Sequence, residues 1–158
     1  MSEHLTAAQA MAADCLCFRA RRVSRALTRM YDEALRPLGI QATQLTLLNA
    51  VAMMAGRGGT LRRLADVLAM DGTTLSRNLR PLEKGGLVRI ERSPADRRAR
   101  VARLTPAGER MVAEALPLWT QAHGRVVAAL GAEAAAELKL RFDAAVAAAA
   151  GPPRSEAG

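Results

Sequence analysis

The spacing of apolar residues along the first third of the chain predicts two helices. Between residues 14 and 35, apolar side chains recur at steps of three and four, which places them on one helical face. They are Leu16, Ala20, Val23, Leu27, Met30 and Ala34. Pro37 and Gly39 end this helix. A second helix is expected to begin with Thr43 as its N-cap and to end at the glycines that follow residue 55.

The middle of the chain predicts two short helices followed by a hairpin. Leucines at positions 61, 64 and 68 predict the first helix, and Met70 to Gly72 predict a turn after it. Residues 73–84 predict the second helix, which ends at Gly85 and Gly86. Extended segments at 87–91 and 98–104 flank a basic tip at 92–97. Helix, turn, helix and basic hairpin in this order predict a winged helix-turn-helix.

The last third predicts two more helices. Thr105 followed by Pro106 is typical of a helix start, Pro117 is expected to kink that helix, and an alanine-rich helix follows Gly131. Because a winged module alone does not need long apolar helices on both sides, these predict a homodimer. The expected fold is mainly α: an N-terminal dimerisation helix (14–40), a winged helix-turn-helix (41–104), C-terminal dimerisation helices (105–149) and a flexible tail (150–158).

The distribution of charge indicates the function of the winged module. The 158-residue chain has a net charge of +8. Residues 57–103 hold twelve basic residues and five acidic ones, a net charge of +7, while both flanking segments are close to neutral. Every basic residue except Lys84 and Lys139 is arginine, which suits bidentate contacts to phosphate and guanine. A basic module between near-neutral segments predicts nucleic-acid binding.

The predicted helix at 73–84 has the two faces of a recognition helix. Leu75, Leu79 and Leu82 share a narrow arc and are expected to face the core. Hydroxyl and basic residues occupy the rest of the surface, with the hydroxyls near the N-terminal end that enters the major groove. The predicted DNA contacts are Thr73, Thr74, Ser76, Arg77, Arg80 and Lys84. The alternative is a helix face that is merely solvated.

The ordered motifs of the chain resemble those of the MarR family of winged-helix transcription regulators. The matching stretches are LRRLADVL (61–68), MDGTTLSRNL (70–79), LEKGGLV (82–88), Asp96-Arg97-Arg98 and LTPAG (104–108). The resemblance implies a homodimer on a pseudo-palindromic double-stranded DNA operator. It also implies that the protein usually represses and is released by a small ligand or an oxidant.

The same resemblance implies roles for residues of the wing. Arg98 is expected to enter the minor groove or hold phosphate, with Asp96 orienting this arginine, and Arg97 and Arg100 are further phosphate contacts. The alternative for Asp96 is that it only initiates a turn, as aspartate often does.

One hypothesis for the sensed signal is oxidation of Cys17. The first helix is similar to that of the organic-hydroperoxide-sensing branch. In that branch, a cysteine at this position is oxidised, and a tyrosine matching Tyr31 forms a hydrogen bond with it. Arg21 stands where that branch has a second tyrosine. Cys15 and Cys17 in one helix would point about 200° apart, which disfavours a disulfide between them. The alternative is that Cys17 is a small buried apolar residue.

The competing hypothesis is that the protein senses a small aromatic effector. The family resemblance implies a pocket for such a molecule between the dimer helices and the winged domain. The candidate lining is Arg21, Met53, Trp119 and His123. Met and Trp at helical spacing are also common in plain cores, which is the alternative.

Other classes of protein receive little support from the sequence. No catalytic motif or phosphate-binding loop appears, so we expect no enzyme. With His4 and His123 as its only histidines, the chain predicts no metal site and no cofactor. No apolar run approaches the ~20 residues of a membrane span, and the N-terminus does not resemble a signal peptide, which predicts a cytoplasmic protein with no membrane partner. A winged-helix protein-interaction module is the remaining alternative, and the basic recognition face favours DNA.

Overall fold

The computed structural model describes residues 2–55 and 59–150, which form seven α-helices and one hairpin. The elements are α1 (Glu3–Asp14), α2 (Leu16–Leu35), a 3₁₀ turn (Arg36–Leu38), α3 (Ala42–Met54), α4 (Leu61–Val67), α5 (Gly72–Lys84), β1 (Val88–Arg92), β2 (Arg100–Leu104), α6 (Pro106–Leu130) and α7 (Ala132–Ala150). The predicted class is confirmed: a mainly helical winged helix-turn-helix with additional helices on both sides.

The N-terminal region differs from the single helix predicted from Asp14. Cys15 is extended (φ −69°, ψ 110°) and separates α1 from α2. It caps α2, because its Sγ accepts the Phe18 N–H at 3.4 Å. The argument that placed Cys15 and Cys17 about 200° apart is therefore wrong, since it requires both residues to be helical. Helix α1 was not predicted because its alanine-rich sequence has no clear apolar stripe.

The start of α3 also differs from the prediction. Gln41, not Thr43, is the N-cap. The Gln44 side chain accepts the Gln41 N–H at 2.9 Å, and Asp32 Oδ1 accepts the Ala42 N–H at 2.7 Å. These two acceptors satisfy N–H groups at the helix start, and the second ties α2 to α3. Helix α3 ends at Met54; two of the glycines expected to end it, at 56 and 58, lie outside the described residues.

The core of the winged domain lies between α3, α4, α5 and the hairpin. Leu75, Leu79 and Leu82 of α5 are fully buried, which confirms the inward face predicted from their spacing. They pack with Leu47, Leu48, Val51, Leu64, Val88 and Ala102. This core fixes the side of α5 that faces outward.

The hairpin and α6 are joined by a compact set of contacts. Strands β1 and β2 are antiparallel, with Val88 opposite Leu104. The Thr105 hydroxyl donates to the Gly86 carbonyl at 2.6 Å and accepts the Gly108 N–H at 3.1 Å. A side chain at Gly108 would overlap the Leu87 carbonyl, so only glycine fits there.

A second core joins the winged domain to the flanking helices. Leu35, Ile40, Leu45 and Ala115 are its buried members, with Leu118 and Trp119 packed beside them. Helix α6 continues through Pro117 without interruption, although proline lacks the N–H of a helical hydrogen bond. Within the described parts of the chain, none of the helices combines the length and apolar character needed to cross a bilayer.

Candidate nucleic-acid interface

The N-terminus of α5 is fixed by Asp71. This residue is the N-cap, and its carboxylate accepts the Thr74 N–H at 2.8 Å and the Thr74 hydroxyl at 2.6 Å. Both hydrogen bonds stabilise the charged carboxylate and hold the pKa of Asp71 below its ordinary value. The sequence indicated only a turn at Asp71, although aspartate two residues before Thr73 is also a capping signal.

The outward face of α5 carries the predicted DNA contacts. Thr73, Ser76, Arg77, Arg80 and Lys84 are exposed, whereas Thr74 is half-buried. The Thr74 hydroxyl bonds to the cap, and the Ser76 hydroxyl donates to the Gly72 carbonyl at 2.8 Å. These two side chains therefore retain only acceptor capacity, while the guanidiniums of Arg77 and Arg80 remain donors.

The wing concentrates arginine in a way that the sequence alone did not show. In the register of the hairpin, Arg92 lies directly opposite Arg100. Like charges in this position destabilise an antiparallel pair. Arg92, Arg97, Arg98 and Arg100 line a groove of about 560 Å³ together with Ile90 and Glu91. Arg92 was not among the predicted contacts, because its position opposite Arg100 depends on the strand register.

Glu91 neutralises a different pair of arginines at the base of the wing. Its Oε2 lies 3.2 Å from Arg89 Nε, and its Oε1 accepts from Arg103 Nε. Although Glu91 also reaches the groove, both of its oxygens are engaged with these two arginines. Glu91 is therefore occupied by Arg89 and Arg103, and the guanidiniums at the tip can donate to an external anion.

The wing tip is held by two side-chain oxygens that accept hydrogen bonds from backbone N–H groups. Asp96 Oδ1 accepts the backbone N–H of Arg98 at 2.9 Å, a contact that fixes the turn and leaves the guanidinium of Arg98 exposed. Ser93 is buried, and its hydroxyl accepts the N–H groups of Ala95 and Asp96. The geometry supports the turn-forming alternative for Asp96. Ser93 was not predicted as a wing residue of interest, because the sequence does not indicate that it is buried.

The proposed sensor residues are distributed over several places. Cys17 is exposed on α2. Tyr31 Oη lies 3.0 Å from His123 Nδ1, and burial raises the pKa of Tyr31. Trp119 stacks on His123 at 4.5 Å between ring centroids and on Tyr31 at 6.5 Å. Within one subunit, the tyrosine thus contacts the imidazole of α6.

The structure brings together only part of the predicted effector pocket. Trp119 lines a mostly apolar cavity of about 220 Å³ between α3 and α6, with Leu45, Asn49, Val112, Ala113 and Leu116. His123 stacks beside it, but Arg21 lines a separate depression with Ala20, Ser24 and Arg25. Met53 is 67% exposed on α3. In the described part of the chain, no group of His, Cys, Asp and Glu is arranged to hold a metal ion.

Comparisons with known proteins identify the family. The model of a winged helix DNA-binding domain matches residues 40–108. The M. tuberculosis transcriptional regulator MosR, solved in complex with DNA, is 33% identical over 85% of this chain and 98% of its own, with a TM-score of 0.72. A mutant MarR from E. coli complexed with operator DNA is 26% identical over 85% and 96%, with a TM-score of 0.74.

A third solved structure shares the fold. CouR from Rhodococcus jostii RHA1, bound to p-coumaroyl-CoA, is 23% identical over 85% of this chain and 93% of its own, with a TM-score of 0.73. A search of curated proteins gives no match. The winged module, its outward basic residues and these likenesses agree: the chain belongs to the MarR family of DNA-binding transcriptional regulators.

Proposed function

We propose that this regulator acts as a homodimer that represses transcription from a pseudo-palindromic operator and is released by a small effector. The observation that carries this proposal is an apolar stripe on α2 that continues beyond the body of its own subunit. DNA contact is assigned to the outward face of α5 and to the arginines of the wing.

The stripe on α2 is covered along only half of its length. Its last three members, Leu27, Met30 and Ala34, are half-buried against the rest of the subunit. Its first three members, Leu16, Ala20 and Val23, are exposed, and Leu16 reaches 78%. A regular apolar stripe that leaves its subunit is explained by a second copy that covers the exposed half.

Helix α7 supports the same interface. Leu138, Phe142 and Val146 are spaced by four residues, so they form one row on the helix, and all three are exposed. Rows on α2 and α7 supply apolar faces at both ends of the chain. A two-fold dimer built from them presents two copies of α5, as half-sites about 34 Å apart on DNA require.

The dimer is tested by replacing an exposed member of the stripe with a charge. Val23→Glu should disrupt association, whereas Met53→Glu, which alters an exposed apolar residue outside the stripe, should not. Light scattering of the wild-type protein should give twice the chain mass of 16.8 kDa. A monomeric wild type that binds an operator would contradict the proposal, as would a fully dimeric Val23→Glu variant.

Operator binding and repression are tested with the DNA upstream of the protein's own gene. A gel shift should give one complex, and footprinting should show two protected half-sites related by a two-fold axis. Expression of a reporter from this promoter should rise when the regulator is deleted. A single asymmetric footprint, or a reporter that falls on deletion, would refute the dimeric repressor.

The cavity beside Trp119 supports the effector part of the proposal. It lies between α3, which belongs to the winged domain, and α6, which connects to the flanking helices. Its wall is mainly apolar with the amide of Asn49 as a polar group, and its volume of about 220 Å³, below that of sites for drug-sized ligands, suits a single-ring aromatic molecule. A ligand there contacts both parts and can change their relative position only if it binds one arrangement more tightly.

The oxidation hypothesis is separated from the effector hypothesis by cysteine variants. Tyr31 bonds to His123 in its own subunit, so its hydroxyl is engaged without Cys17. We therefore expect a small aromatic acid to release wild type, Cys17→Ser and Cys15→Ser alike, with serine keeping a capping oxygen at position 15. Release of wild type and Cys15→Ser by organic peroxide, with no release of Cys17→Ser, would favour the thiol switch instead.

A further inference from the structure

A second concentration of arginine lies on α2, away from the winged module in sequence. Arg19, Arg22, Arg25 and Arg29 line a groove of about 520 Å³, with Ala26 between them and Val23 of the apolar stripe at its edge. No carboxylate belongs to this lining in the described part of the chain. The volume is within the range of small-molecule sites, roughly 300–1,000 Å³.

The position of these arginines on the helix keeps them available in a dimer. At about 100° per residue, the four occupy an arc of roughly 120° and span about 15 Å along the axis. The centre of this arc lies about 120° from the centre of the apolar stripe on the same helix. A second copy that covers the stripe therefore does not have to cover the arginines.

The arrangement is unfavourable for the helix itself. Residues 16–31 contain five arginines and no aspartate or glutamate. Like charges three or four residues apart destabilise a helix, and cations near the N-terminal end oppose its dipole. An anion bound in the groove would relieve both effects.

Two of the four guanidiniums are already held in place. Arg19 Nη2 donates to the Ala13 carbonyl at the end of α1 at 2.6 Å. The Arg22 guanidinium lies 5.7 Å from the centroid of the Phe18 ring. These contacts reduce the conformational entropy that the side chains lose when they bind a ligand, while other N–H donors of each fork remain available.

From these observations we propose that the α2 groove, defined by Arg19, Arg22, Arg25 and Arg29, binds a small organic polyphosphate. The phosphates lie on the guanidiniums, which match them in bidentate geometry, and the organic part lies against Ala26, which falls within the arginine arc and outside the stripe. The limited size of the groove favours a nucleotide-sized molecule over a nucleic-acid duplex. The site is separate from the DNA contacts on α5 and the wing.

The proposal is tested by calorimetric titration of ATP into the full-length protein at low ionic strength, with adenosine as the uncharged control. ATP should bind and adenosine should not. Arg22→Gln combined with Arg25→Gln should weaken ATP binding about tenfold or more, because charge-assisted hydrogen bonds are lost. The matched control is Arg110→Gln combined with Arg125→Gln, which removes the same charge from exposed positions on α6, outside both the α2 groove and the wing, and should leave ATP binding unchanged.

Operator affinity of the groove variant provides the test of folding, and it should equal that of wild type without ATP. If the double variant does not fold, Arg29→Gln supplies a single exposed replacement in the same groove. Absence of ATP binding to wild type would overturn the proposal. So would equal ATP affinity in the α2-groove variant and wild type, loss of ATP binding in the α6 control variant, or weaker duplex binding caused by the α2-groove variant.

Discussion

Replacing Arg92 or Arg100 with glutamine should weaken DNA binding and at the same time stabilise the folded protein. The two residues face each other across the hairpin, and both line the groove at the wing tip. Repulsion between the two guanidiniums opposes folding of the free protein. DNA phosphates bound in the groove would offset this repulsion. The two effects of one substitution are therefore expected to have opposite signs.

The magnitudes follow from the cross-strand register and from counterion release. Removing a directly opposed pair of like charges should raise the free energy of unfolding by a few tenths of a kcal/mol. Each lost phosphate contact should reduce the slope of log K against log salt by about 0.9. Between 50 and 200 mM salt, one phosphate contact accounts for a loss of affinity of about 3.5-fold, and two contacts account for about 12-fold. The variants should lack this part of the salt dependence.

The assay combines salt-dependent operator titrations with urea denaturation of the same variants. Arg89→Gln is the matched control, since Arg89 lies on the same strand but is paired with Glu91. This control should lose a little stability and change the salt slope less than Arg92→Gln does. An unchanged salt slope in the Arg92→Gln, Arg100→Gln double variant would refute the assignment of the wing groove to phosphate. Reduced stability of that variant would refute the repulsion argument.

Three further predictions concern single positions. Arg77→Ala should cost about 1–3 kcal/mol on the specific operator and relax sequence preference, as measured with operator variants changed one base pair at a time. Gly108→Ala should lower stability by about 1–3 kcal/mol in urea denaturation, because the new methyl group overlaps the Leu87 carbonyl. In wild type, the charged Asp71 carboxylate stabilises the folded protein above the ordinary carboxyl pKa of about 3.9, and this stabilisation is lost as the pH falls through the lowered folded-state pKa. Asp71→Asn should remove this pH-dependent stabilisation. The measurement is thermal denaturation across that range, and equal pH profiles for the two proteins would contradict the contribution of the charged carboxylate to the cap.

The sequence by itself determined the parts of this protein that depend on local periodicity. The leucine spacing of α5 fixed which side of the helix is buried, and the same spacing on α2 identified a stripe that needs covering. The concentration of positive charge in residues 57–103 is a property of the chain and needed no coordinates. Periodicity and charge count are readable because neighbours in sequence are neighbours on a helix face.

Contacts between distant residues were decided only by the tertiary structure. Strand register placed Arg92 opposite Arg100, and helix packing brought Tyr31 to His123, 92 positions later in the chain. The break at Cys15 and the capping of α3 by Gln44 and Asp32 were likewise not visible in the pattern. Local patterns leave several cap residues nearly equal in free energy, and the choice among them is made by side chains that folding brings within hydrogen-bond distance.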